Sequence, residues 1–384
     1  MTEAYEKKKK KRPNECKTPQ EPDRDEEWYV RAQRRERCQA PDGRLIRRVH
    51  WDDWFPAKVE ATGLSFDRTK MVRSIIDRMD AAGVVGYSWA IAFNGQLVDA
   101  GASGDARTPA ETDPRAMTAE TRMVSASLAK PLCGVAVMKL IEDGQISLTD
   151  PAYSLIEDTF PDAHVTVAQV NIRDLLTHRS GFNGPGALSQ FEGTLGDPLQ
   201  FLPGTNERYE NWNYWFLAHV VEAVTGGSYV DYVTENILAP MGLGNVTPQV
   251  DDNAPCLYYA NGSLSGGTTW NDFISTQLGA YGWFASAIDW ARFLVHFRFD
   301  TVLSNASRST MLNWPQTYFG FRHYRGQERG SYYGHGGDFT SGGREFHGGM
   351  MAFPDHIDAA LLTNSAEEPD PQLVLIDAYH DGFD

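Results

Sequence analysis

Apolar residues at Met71, Val72, Ile75, Ile76 and Met79 recur at the spacing of one helix face, which predicts a helix from Phe66 to Ala82 ended by Gly83. Tyr87 to Phe93 and Gln96 to Gly101 flank Asn94-Gly95, a dipeptide that supplies the left-handed backbone a two-residue hairpin needs. The apolar run Leu132 to Leu140 predicts a buried helix, with a stop and turn from Glu142 to Pro151. A short helix within Val170 to Gly181, an amphipathic helix from Phe216 to Val224 and a helix begun near Ser286 follow. Gly348 to Phe353 and Ile357 to Thr363 read as strands. Strands therefore sit at the two ends of the chain and helices in its middle. Segments 182–202 and 253–280 lack a clear period, are rich in Gly and carry aromatics, as pocket walls or lids do, although aromatics in loops are as often simple packing.

Composition narrows this picture. With 384 residues and 41% hydrophobic content the chain can bury a large core as one domain or two lobes. Its formal net charge of -16 argues against nucleic acid as a partner, since phosphate tracking needs a positive surface. Residues 1–45 are charged and poor in aliphatics, with a basic run from Lys7 to Arg12, and predict a disordered tail. Trp28, Tyr29, Trp51, Trp54 and Phe55 could dock back onto the body. Cys16, Cys38, Cys133 and Cys256 fall in neither zinc nor disulfide spacing, so no metal is expected. No stretch is apolar and long enough to span a bilayer, and no secretory signal is visible, so the expectation is a cytoplasmic protein. Asn245, Asn261 and Asn305 begin glycosylation-type triplets that would matter only in a secreted protein.

Candidate chemistry begins at Ser127 and Lys130, three residues apart and so one turn apart on one helix face. A serine hydroxyl needs a neighbouring base, and a lysine can be that base once burial lowers its pKa. By itself the spacing is weak: a chain of this length holds about one Ser-x-x-Lys by chance, and a helix start capped by Ser125 or Ser127 with a solvated Lys is the favoured reading of that spacing alone. Tyr209 and Asn211 lie two apart before the third long helix, where a phenol could relay a proton and an amide could hold a substrate carbonyl or the Lys130 amine. A second pair, Tyr259 and Asn261, has no helix behind it and ranks below the first. His178 lacks a carboxylate at triad spacing and reads as structural, its ring bonded to a loop backbone. His335 has Gly334 and Gly336 on either side, as in an edge strand that a substrate approaches closely.

Ser127-x-x-Lys130, Tyr209-x-Asn211 and His335-Gly336-Gly337, in that order, resemble the three active-site elements of the serine β-lactamase and penicillin-binding-protein superfamily. The class C branch, with its esterase, D-aminopeptidase, carboxypeptidase and acyltransferase members, is the nearest in pattern, and the likeness covers about residues 64–365. It implies an α+β fold: a five-stranded antiparallel sheet flanked by helices, with an inserted mostly helical lobe. On that reading residues 46–384 form the domain, with the sheet lobe at about 64–120 and 300–384 and the helical lobe at about 121–299. It also implies roles: Ser127 as nucleophile, Lys130 as its base, Tyr209 as proton relay, Asn211 as orienting amide, and the backbone N–H groups of Ser127 and Asp338 as the oxyanion hole, with no cofactor.

Where β-lactamases carry Lys-Thr-Gly, this chain has His335-Gly336-Gly337 followed by Asp338. A mostly neutral imidazole next to a carboxylate is a poor anion site. The expectation is a serine hydrolase acting through an acyl-Ser127 intermediate on an uncharged small-molecule donor, most simply a carboxylic ester hydrolase or acyltransferase. D-Aminopeptidase, D,D-carboxypeptidase or weak β-lactamase activity is the alternative within enzymes, and a non-catalytic ligand-binding member of the family the alternative outside them.

Overall fold

The computed structural model describes strands 34–39 and 45–50 and residues 66–383, except 184–190, 251–254, 261, 271–272, 300, 314–318 and 366–369. Its strands are β1 (Arg34–Gln39), β2 (Leu45–His50), β3 (Gly86–Phe93), β4 (Gln96–Arg107), β5 (Arg115–Ala116), β6 (Met123–Val124), β7 (Phe284–Ala285), β8 (Arg322–Gln327), β9 (Gly330–Ser341), β10 (Arg344–Ala352) and β11 (Ile357–Thr363). Its helices are α1 (Arg68–Ala82), α2 (Ala129–Glu142), α3 (Ile172–Leu176), α4 (Phe191–Gly196), α5 (Asn211–Thr225), α6 (Tyr229–Val233), α7 (Ala287–Arg298), α8 (Asn305–Asn313) and α9 (Pro371–Asp381).

The main sheet runs β1-β2-β4-β3-β11-β10-β9-β8, antiparallel between every neighbouring pair, with β5 attached to β4. The α+β class holds; five expected strands become nine among the described residues. The central five, β4-β3-β11-β10-β9, come from the early hairpin and the late strands. Asn94 and Gly95 turn the hairpin with φ of 50° and 82°. β3 is buried on both faces: Tyr87, Trp89 and Ile91 pack with α1 and α9, while Ala90 joins the larger core on the other face. Hence its sequence is a continuous apolar run with no alternation.

The division into lobes differs from expectation at two places. Helix α7 packs on β3 and β11, so it belongs with the sheet, although it falls inside the 121–299 range. Residues 34–39 of the expected tail pair with 45–50 as strands, and β2 continues onto β4 at Arg48 and Gly101. The ladder satisfies backbone groups whatever the side chains, which composition cannot register. Residues 1–33 and the aromatics at 51, 54 and 55 lie outside the described residues, as does Asn261. Segment 182–202 holds the short helix α4, whose Phe191 packs among Trp212, Trp215 and Phe216. Among the described residues no helix is long and apolar enough to cross a membrane.

Candidate active site

Ser127 sits in a single 3-10 turn, Ala126–Leu128, immediately before α2, slightly upstream of the first α-helical turn expected. The turn is pinned from behind. β6 pairs with β7, and the N–H of Ser125 donates to Trp283 O at 2.6 Å. Helix α2 then carries Lys130 to the interface with α5, where its side chain is fully buried.

Lys130 Nζ lies 2.9 Å from Ser127 Oγ, 2.8 Å from Asn211 Oδ1 and 3.0 Å from the carbonyl of Ala280. Burial drives its pKa well below the ordinary lysine value. Cys133 could oppose this only as a thiolate, and burial holds that thiol up at about 12, so it stays neutral; the Arg322 charge lowers Lys130 further. A neutral amine has two N–H groups and one lone pair. The two oxygens of Asn211 and Ala280 can only accept, so they take both protons and leave the lone pair for the Ser127 hydroxyl. Tyr209 OH donates to Ser127 Oγ at 2.8 Å, completing the oxygen's environment. The hydroxyl is thus aimed at a base and open toward a cleft on which Tyr209 is 39% exposed.

Asn211 is the first residue of α5, and the extended Glu210 ahead of it lets Tyr209 and Asn211 converge on Ser127 and Lys130. His178 holds this turn. Its buried Nδ1 accepts from the Glu210 N–H at 3.2 Å and from the Asn213 amide at 3.0 Å, so the neutral ring carries its proton on Nε2. Burial pushes its pKa well down. The ring also lies 4.5 Å from that of Tyr209, centroid to centroid. The structural reading of His178 stands, with the addition that what it supports is the second motif. Tyr259 is likewise structural: its OH accepts the Thr108 N–H at 3.0 Å.

The third motif lies on β9. Pairing with β8 reaches Gly334 and no further, so among the described residues the outer edge of β9 is open from His335 onward. The N–H of Phe353 donates to Ile357 O across the β10–β11 hairpin, and β10 pairs in unbroken register with both β11 and β9. By alternation Gly337 bonds inward to β10 and the Asp338 N–H points out of the open edge. A Cβ on Gly337 would lie 2.6 Å from Ser125 O and 3.2 Å from Ser127 N, so only glycine lets the strand pass this close to the nucleophile. The Ser127 backbone nitrogen thereby lies close to the strand residue that precedes Asp338.

His335 shares the cleft face of β9 with Gly337, its ring 6.2 Å from that of Tyr209. Its Nδ1 donates to the carbonyl of Gly336, and burial brings its pKa down to about 3. The imidazole is neutral, as expected. The Asp338 carboxylate is not beside it: a Cβ on Gly336 would meet Gln372 of α9, so residues 336 and 338 face the opposite side of the sheet, where Asp338 pairs with His347. The expected imidazole–carboxylate pair in the anion site is corrected by the strand's two-residue period. Phe339 returns to the cleft face, where its ring centroid lies 4.7 Å from Trp270, 5.7 Å from Phe273 and 6.3 Å from Tyr281.

Two contributors escaped the sequence. The Ala280 carbonyl has no side-chain signature; the nearest sign is Gly279, where a Cβ would lie 2.2 Å from Tyr214 O. Arg322, the first residue of β8 and opposite Gly334, lowers the pKa values of Lys130, His178 and His335 by its charge. No group of His, Cys, Asp and Glu suited to a metal ion occurs among the described residues.

An antiparallel sheet with a helical lobe, and a serine bonded to a buried lysine at their junction, define a class of serine acyl-transfer enzymes. The chain belongs to the Beta-lactamase family, whose model matches residues 72–380. It is 32% identical over 174 residues to the D-aminopeptidase of Brucella melitensis biotype 1, covering 41% of this chain and 32% of that protein. It is 27% identical over 139 residues to Protein flp of Staphylococcus aureus, covering 33% of this chain and 28% of that protein. The chain thus spans about a third of the length of the curated relatives it matches. Its fold is similar to an octameric penicillin-binding protein homologue from Pyrococcus abyssi, with a TM-score of 0.68 and 23% identity over 81% of this chain and 76% of that one. It is also similar to a D-stereospecific amidohydrolase from Streptomyces sp., with a TM-score of 0.63 and 18% identity over 82% of this chain and 98% of that one.

Proposed function

We propose that the chain hydrolyses carboxylic esters of small, uncharged, apolar acyl donors through an acyl-Ser127 intermediate. One observation carries this reading: the fully buried Lys130 Nζ is ringed by Asn211 Oδ1, the Ala280 carbonyl and, 2.9 Å away, Ser127 Oγ, an arrangement that suits a neutral amine acting as base on that hydroxyl. Ser127 Oγ attacks the substrate carbonyl carbon while its proton passes to Lys130 Nζ. The Ser127 and Asp338 N–H groups stabilise the oxyanion. As the C–O bond to the leaving alcohol breaks, Tyr209 relays the proton from Lys130 to the departing oxygen, and a water then attacks the acyl carbon, one of its protons returning to Ser127 Oγ, to release the acid and restore Ser127. Asn211 holds the amine and faces the substrate. Neutral His335 offers no cation to a substrate carboxylate, and Phe339, Phe273 and Tyr281 supply an apolar wall beside the oxyanion edge.

A second reading, amide hydrolysis of a D-aminopeptidase or carboxypeptidase type, is favoured by two features. The open edge of β9 can pair with an extended amide substrate, and Arg322 brings a positive charge to the neighbourhood that Lys would occupy in Lys-Thr-Gly. The names of the Brucella and Streptomyces relatives agree with it. Rates on a short-chain ester, a chromogenic cephalosporin and a D-Ala-terminated peptide, measured side by side, separate the readings. Fastest ester turnover with an acyl adduct on Ser127 by intact mass supports the first; fastest peptide turnover, with a KM that rises in Arg322→Gln, replaces it with the second.

A further inference from the structure

Behind the oxyanion strand, on the sheet face away from the cleft, His347 of β10 stands opposite Asp338 of β9. Its Nδ1 lies 2.7 Å from Asp338 Oδ1 and its Nε2 2.8 Å from Glu345 Oε2. A neutral imidazole has one N–H and one lone pair, and a lone pair aimed at a carboxylate oxygen at that distance is repulsive. Both contacts are therefore attractive together only in the imidazolium form, with two charge-assisted bonds.

The position gives the contact its consequence. Asp338 and His347 form the widely spaced kind of antiparallel pair, whose side chains approach most closely. This pair lies beyond the end of β8, where β9 is held from one edge alone. The backbone of the same Asp338 carries the outward N–H. We infer that His347 is a positioning residue for the oxyanion hole: while protonated at both nitrogens it clamps the outer end of β9 to β10 and keeps the Asp338 N–H turned toward the acyl oxygen. The inference rests on the acyl-Ser127 reading, in which that N–H is an oxyanion donor.

The charged groups facing the ring are Asp338 from β9 and Glu345 from its own strand. Opposite it on β11 is Thr363, which is uncharged. From α9, uncharged Gln372 stands under Gly336 and Gly349, and the Asp370 carboxylate is taken by the Gln372 N–H at 2.8 Å. Burial alone would lower the His347 pKa, but the bonds from Asp338 and Glu345 outweigh it and the net shift is upward. The clamp is accordingly present below that raised value, while both carboxylates stay ionised, and is lost as pH rises through it.

The test is the pH profile of kcat on nitrophenyl acetate for the full chain, beside the imidazole NMR titration of His347. Wild type is expected to lose kcat on the alkaline side with the midpoint at which His347 loses its proton. Glu345→Gln removes one carboxylate, so limb and NMR midpoint are expected to move down together by about one pH unit, with the rate at lower pH kept. His347→Gln still donates to one carboxylate but has no proton to lose, so its alkaline limb is expected to vanish. A limb that stays put in Glu345→Gln, or an NMR midpoint that does not coincide with it, overturns the inference; Glu345→Gln decides the matter even if His347→Gln does not fold. If Ser127→Ala still turns over the ester, the acyl-Ser127 reading has failed instead.

Discussion

At Lys130 a charge is exchanged for reactivity. Each of its three neighbours is an oxygen within hydrogen-bond distance, and two of them can only accept, so loss of one proton leaves no polar atom without a partner. Ser127→Ala is expected to cut turnover of an activated ester by at least ~10^4-fold, and Lys130→Ala by ~10^3-fold or more, with the double variant little worse than the first because the two act as a unit. Losses that multiply in the double variant would mean independent roles. His178→Ala removes the acceptor of the Glu210 and Asn213 donors, so it is expected to destabilise the fold by about 1–3 kcal/mol and to lower kcat through Tyr209. Denaturant titration and ester kinetics on the same sample check both effects. The Ser, Lys, Tyr and Asn were weak signals by residue type and spacing and became legible as an ordered set only through the resemblance to the β-lactamase superfamily. The Ala280 carbonyl was not, because a main-chain acceptor leaves no mark on the residue that carries it.

At the scale of elements, the site depends on strand β9 crossing close to the serine turn. Gly337→Ala would place a methyl group 2.6 Å from Ser125 O, which the strand can relieve only by moving off. The expected result is a kcat lower by ~10^2-fold, the size of losing one oxyanion donor, in a folded protein. Gly193 in α4 has nothing within 4 Å of its would-be Cβ and an ordinary φ, so Gly193→Ala is expected to raise stability by about 0.5–1 kcal/mol without touching kinetics. An unchanged rate in Gly337→Ala would remove the close crossing from the mechanism. Helices α1, α5 and α7 and the Asn94-Gly95 hairpin were readable because each has an apolar period or a turn residue that the fold uses directly. β9 was not readable as a twelve-residue strand: with glycine at 330, 334, 336 and 337 it has too few side chains to show a two-residue alternation. That gap also hid which way Asp338 faces, and so assigned its carboxylate to the wrong side of the sheet.

For the molecule as a whole, the cleft exists because residues far apart in sequence are carried to one junction by the sheet and the helices packed beside it. The sheet brings β9, and the helical lobe brings Ser127, Lys130, Tyr209 and Asn211, with β6 and β7 tying the serine turn to the strand ahead of α7. The order of motifs made this arrangement legible, while the extra strands at both sheet edges were not, since backbone pairing extends a ladder whatever the side chains. Burial of the amine has a price in proton uptake. Unfolded Lys130 binds a proton at pH values where folded Lys130 does not, so this residue makes folding less favourable as pH falls, and the working neutral form gains population as pH rises through the lowered pKa. Activity should therefore climb on the acid side through Lys130 and fall on the alkaline side through His347.

The most direct measurement is the pre-steady-state rate at which Ser127 is acylated by an activated ester, followed against pH in wild type and in Lys130→Ala. A buried neutral amine beside the nucleophile predicts a single rise whose midpoint lies well below the ordinary lysine range and which is absent from the variant. A rise through the usual lysine pKa, or the same profile with the amine removed, would contradict it.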